Sequence, residues 1–78
     1  MMIDILDRGA EKTLALLDSP EGRRIYRCNR RELGLDRRNN VCGIIQKACG
    51  TLWGEALLEV YGRVEAELAA RKTERVAG

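Results

Sequence analysis

Apolar residues recur along this chain at spacings of three and four, the signature of one face of an α-helix. Ile3, Leu6, Ala10, Leu14 and Leu17 make the first stripe, widened by Ile5 and Leu16, and predict a helix over 4–17. Asp4 and Asp7 stand near its start, where the helix dipole favours acids, and Gly9 weakens its centre. Asp18-Ser19-Pro20-Glu21-Gly22 then interrupts the pattern. Pro20 cannot continue the first helix but fits the opening position of a second, with Ser19 as its cap. That second helix, over 20–33, has a thin apolar face of Ile25, Cys28 or Asn29, and Leu33, with Tyr26 alongside. It therefore lies on the surface. Leu33-Gly34-Leu35 reads as a helix stop, with Gly34 left-handed and Leu35 packing back, and Asp36 caps the next element.

The third helix, over 37–49, carries Val41, Ile44, Ile45, Ala48 and Leu52. Gly43 interrupts it, and Gly50-Thr51 marks a break and restart. The fourth, over 52–71, places Trp53, Leu57, Val60, Val64 and Leu68 on one side, flanked by Ala56 and Tyr61. The alternative is one long bent helix across both. Residues 72–78 are small and polar and read as a flexible, frayed tail. No stretch alternates in the manner of a strand. The expected fold is all-α, a compact bundle of three to four helices forming one domain over 1–71.

With 78 residues and no Phe, one Trp and two Tyr, the core is small and aliphatic. Burying a Leu or Ile is worth about 1.5–3 kcal/mol, while ordering each residue's backbone costs about 1–2 kcal/mol. A homo-oligomer or bound partner is therefore expected to add stability. The seam of Trp53, Leu57, Val60 and Val64 is the candidate oligomer contact. Trp53 has a plainer reading as a core residue, and a second as an anchor presented beside Gly50 and Gly54.

Charge changes the picture, because it is unevenly placed. Residues 1–22 carry five acids and two bases, residues 23–38 seven arginines and two acids, and residues 39–78 five of each. The net charge is only +2, so the chain has a basic segment beside an acidic one. Arg23, Arg24, Arg27, Arg30, Arg31, Arg37 and Arg38 are the candidate contact residues, with Tyr26 among them. The competing reading is that acids of the first helix neutralise them within the fold.

Catalysis finds little support. There is no histidine, the usual proton-transfer residue, and Ser19, the one serine, reads as a cap. Cys28 lies among arginines able to lower its pKa, but no base accompanies it. The three cysteines cannot all pair internally, and zinc spacings are absent; they read as reduced and mostly buried. Asp4, Asp7, Glu11 and Asp18 follow a polar helix face and lack a calcium-loop pattern. No cofactor and no metal are expected. No apolar run has the length of a membrane span or a signal peptide, so the expected location is cytoplasmic.

The stretch Glu32-Leu33-Gly34-Leu35-Asp36-Arg37-Arg38-Asn39-Asn40-Val41 resembles the turn of bacterial helix-turn-helix regulators, which read approximately ELGLSRSTV. The resemblance implies a DNA-binding regulator spanning about 20–49, with Arg37, Arg38, Asn39 and Asn40 facing the major groove. The sequence departs from the pattern twice. Val41 lies seven residues past Gly34 where the pattern has an apolar residue six past, and Arg30 stands where it has a small one. The leading expectation is instead a small non-enzymatic regulatory protein, of inhibitor or adaptor type and of a size common in mobile elements or phage. It would bind another protein with an acidic surface through its arginines; nucleic acid is the alternative partner.

Overall fold

Ser19 and Pro20 set the first corner. In the computed structural model, which describes residues 2–50 and 52–77, helix α1 spans Met2–Asp18 and α2 spans Pro20–Arg31. The Ser19 hydroxyl accepts from the Gly22 N–H at 3.0 Å and donates to the Leu16 carbonyl at 2.6 Å, so it closes one helix and caps the next. Helix α3 covers Arg37–Cys49 and α4 covers Gly54–Ala77. The Asp36 carboxylate caps α3 by accepting from the Asn39 N–H at 2.8 Å.

Among the described residues the architecture is all-α with four helices, as the periodicity predicts. The third and fourth helices are separate rather than one bent helix. Left-handed backbone at Gly50 (φ 79°) and Gly54 (φ 56°) turns the chain between them. The bounds of α4 run from Gly54 to Ala77 rather than from 52 to 71. Thr51, and the side chains of Ile3 and Asp4 and of residues 73–78, lie outside the described residues. No described helix is long and apolar enough to cross a membrane.

Val41, Ile44 and Ile45 of α3, Val60 and Val64 of α4, and Ala10 and Leu14 of α1 are buried. Leu6, Leu17, Leu57 and Leu68 pack around this cluster. The fold is a slab with Cα extents of 36 × 34 × 19 Å, about two helix diameters thick. Thr13, buried in the same layer, donates to the Gly9 carbonyl at 2.8 Å, and the Cys49 thiol reaches that carbonyl at 3.2 Å. Ion pairs from Arg63 to Asp7 and from Arg71 to Asp18 tie α4 to α1.

The side chains correct the sequence reading in several places. Val60 and Val64, expected in an oligomer contact, are almost wholly enclosed by their own chain. Leu57 packs on the core, and Trp53, expected there, is 73% exposed. Ile5 and Leu33 also face solvent. Cys28 is exposed, while Cys42 and Cys49 are half-buried; all three are free thiols.

α2 contributes little to the core, and Gly22 is its one buried residue. A Cβ at Gly22 would stand 1.7 Å from the Leu16 carbonyl oxygen. Only glycine lets α2 approach the end of α1 so closely. Gly43 has nothing within 4 Å of the same position. Gly22→Ala should therefore destabilise the protein by about 3 kcal/mol or more, whereas Gly43→Ala should stabilise it by about 1 kcal/mol. Urea unfolding followed by circular dichroism checks both; a Gly22→Ala midpoint equal to wild type would contradict the close packing.

Candidate functional site

A surface helix with few buried side chains needs something other than apolar burial to fix its rotation. Here a side-chain amide supplies it. Asn40, at the first turn of α3, is fully buried. Its Nδ2 donates to the Tyr26 carbonyl at 2.9 Å, and its Oδ1 accepts from Asn29 Nδ2 at 3.0 Å. At the end of α2 the Leu35 N–H returns to the Asn29 carbonyl at 3.1 Å, with Gly34 left-handed at φ 66°. Tyr26 and Asn29 are thus held against α3, and Arg23, Arg27 and Arg30 share a side of α2 with Tyr26.

The outcome for the seven arginines is uneven. Arg23, Arg24, Arg27, Arg30, Arg31 and Arg38 are exposed and make no ion pair among the described residues. Arg37 instead lies in a two-pronged contact with Glu65, Nε–Oε2 3.1 Å and Nη2–Oε1 3.2 Å, which joins α3 to α4. These bonds push its pKa upward, so it stays charged. Among the described residues no acid of α1 forms an ion pair with the run: Asp7 and Asp18 turn to Arg63 and Arg71.

Five of the seven gather at one place. Arg23, Arg27, Arg30 and Arg31 of α2 and Arg37 of α3 line a cleft of about 680 Å³, with Tyr26 among them. Leu17, Val41 and Leu68 supply its apolar wall, and Asp18 stands at the end of α1. Arg24 and Arg38 lie outside it. Guanidinium groups suit planar, paired recognition of carboxylates or phosphates. In a partly enclosed site such contacts are weakened less by solvent than on an open face.

The helix-turn-helix expectation needs correcting at Asn40. It faces the core and reaches no groove. It also occupies the position six past Gly34, where the pattern has its apolar residue, so α3 keeps the register with an amide in place of a methyl group. Of the four residues assigned to base contact, Arg38 and Asn39 are exposed, and Arg37 is held by Glu65.

Cys28 overturns the thiolate reading. Its Sγ donates to Glu32 Oε2 at 3.1 Å. That bond, followed by desolvation and the negative charge of Glu32, raises its pKa. Burial raises the Cys42 pKa as well, against the opposing pull of Arg38. Among the described residues no group of three or more His, Cys, Asp or Glu is placed to hold a metal ion.

Sequence reasoning found the arginines and Tyr26 but missed the cleft's other wall. Leu17, Asp18 and Leu68 come from distant elements, and no local pattern announces their meeting. Asn40 was recoverable, because it precedes the buried Ile44 by four residues and shares its face. No family model matches the chain, and neither a curated protein nor a solved structure is similar to it.

A raised thiol pKa means less thiolate at a given pH, hence slower alkylation. Glu32→Ala should lower the Cys28 pKa and speed its reaction with iodoacetamide at mildly alkaline pH, with the site read by peptide mass mapping. An unchanged or slower rate would show that the carboxylate does not hold the thiol.

Proposed function

We propose that this protein is a small non-enzymatic regulator, of adaptor or inhibitor type, that binds an acidic surface on a protein partner through the arginines of α2. The observation that carries this reading is the cleft in which Arg23, Arg27, Arg30 and Arg31 meet without a carboxylate of their own chain paired to them. Unpaired guanidinium groups around an apolar wall are a docking chemistry. Arginine and tyrosine are both enriched among residues that dominate protein interfaces. Charge complementarity would steer the encounter and fix its register.

DNA binding is the second reading, and the register that Asn40 keeps in α3 favours it. Against it, α3 offers only Arg38 and Asn39 near its start as free polar contacts, while the unpaired arginines of α2 line a cleft that neither residue enters. A phosphate-binding mode would show a steep salt dependence, about 0.9 log units per log of salt for each phosphate contacted.

Two assays separate the readings. Wild type and an Arg27→Glu/Arg30→Glu variant, each checked for helicity, are immobilised and offered an extract of the native host. The protein reading expects one stoichiometric partner held by wild type and lost by the variant; equal capture by both contradicts it. Mobility shift with duplex DNA is run at about 50 and about 200 mM salt. No shift at the lower concentration removes the DNA reading.

A further inference from the structure

The cleft says more than that its ligand is negative. Its charge can be counted by what is already engaged. Arg37 is occupied by Glu65, and Asp18 by Arg71. Four guanidinium groups remain, those of Arg23, Arg27, Arg30 and Arg31. On a helix that rises 1.5 Å per residue they span about 11–12 Å along α2. A ligand that satisfies them brings a comparable number of anionic groups spread over that length. A single inorganic phosphate or one carboxylate is too short to reach both ends.

The other wall is different in kind. Leu17 and Leu68 are half-buried, and each packs against the core on one side while lining the cleft on the other. Tyr26 likewise shows part of its ring there. Their apolar surface stays wet when the cleft is empty. Phosphate groups alone, whether of a polyphosphate or of a nucleic-acid backbone, cover it with nothing better than water. A side chain such as Leu or Phe removes that surface from solvent and gains about 25 cal/mol for each Å² covered. The volume, about 680 Å³, is within the range that encloses a few side chains; a whole helix does not fit inside it.

The geometry points to a specific occupant: an acidic peptide segment of the partner that sets one large apolar side chain against Leu17, Leu68 and Tyr26, with carboxylates on both sides of it reaching the arginines of α2. This rests on the proposed protein-binding reading and narrows it. The arginines set strength and rate of encounter, and the apolar side chain sets selection among acidic segments. A segment with carboxylates alone would bind weakly and lose its affinity in salt. One with the apolar side chain would retain part of it.

The test places the change in the peptide, so that the protein's folding is not at stake. Two fluorescein-labelled peptides are compared by anisotropy. Each carries one glutamate per unpaired cleft arginine; one has a central leucine and the other alanine there. Inositol hexakisphosphate and duplex DNA serve as unlabelled competitors. Wild type is expected to bind the leucine peptide about tenfold or more tightly than the alanine peptide. Both are expected to weaken with the Arg27→Glu/Arg30→Glu variant, and the competitors to displace the alanine peptide more readily. Equal binding of the two peptides, with the arginine dependence intact, overturns the apolar anchor and leaves the acidic-partner reading standing. Equal binding to wild type and variant overturns both. Displacement of both peptides equally well by either competitor identifies a polyanion site and also overturns the anchor.

Discussion

The Asn40 side chain holds α2 against α3 from inside the fold, with one bond to the Tyr26 carbonyl and one from the Asn29 amide. A buried amide left without partners costs about 1–3 kcal/mol. Rotations of α2 that pull Tyr26 and Asn29 away from α3 are therefore penalised. An apolar residue at this position would attract any greasy surface, whereas an amide accepts only groups at the right place and angle. Together with the glycine contact between Gly22 and Leu16, this fixes a helix that buries almost nothing. Its remaining faces are free to carry charge.

That division of labour explains how so small a chain keeps an arginine-rich helix on its surface. The apolar work is done by α1, α3 and α4, which contribute every buried hydrophobic residue among those described. Three ion pairs cross the α1–α4 and α3–α4 contacts: Arg63 with Asp7, Arg71 with Asp18 and Arg37 with Glu65. These are exposed pairs, each worth a fraction of a kcal/mol. Their importance lies in where they leave the balance: Asp7 and Asp18 of α1 are engaged by α4, and the arginines of α2 form no ion pair among the described residues. The cleft forms where the end of α1, one side of α2, the start of α3 and the later part of α4 converge. Its two-sided character, cationic on one wall and apolar on the other, follows from that placement.

Much of this was readable from local pattern. The Ser19-Pro20 corner, the Gly34 stop and the Asp36 cap each rest on a short stretch with a definite backbone requirement, and each appears in the structure as expected. The aliphatic stripes of α1 and α3 depend only on periodicity, which is equally local. What failed was the assignment of faces where periodicity was weak. Leu33 and Ile5 face solvent despite their apolar character, because no neighbouring element covers them. Trp53 faces out because it lies in the turn between α3 and α4 rather than within a helix. Asn40 turned inward although polarity suggested the reverse. The thiol of Cys28 responds to Glu32, one helical turn away, more than to the arginines beside it in sequence. Long-range convergence had no sequence signature at all, so the cleft was invisible as a cleft even though its arginines were plain.

Site-resolved modification with phenylglyoxal, which attacks free guanidinium groups, tests the central claim most directly when each arginine is quantified by mass spectrometry on the native protein. The account predicts fast modification of Arg23, Arg24, Arg27, Arg30, Arg31 and Arg38, and slow modification of Arg37, Arg63 and Arg71, which are held by carboxylates. Protection of the α2 arginines to the same degree as the paired ones would show that the chain covers them itself, and would contradict the account.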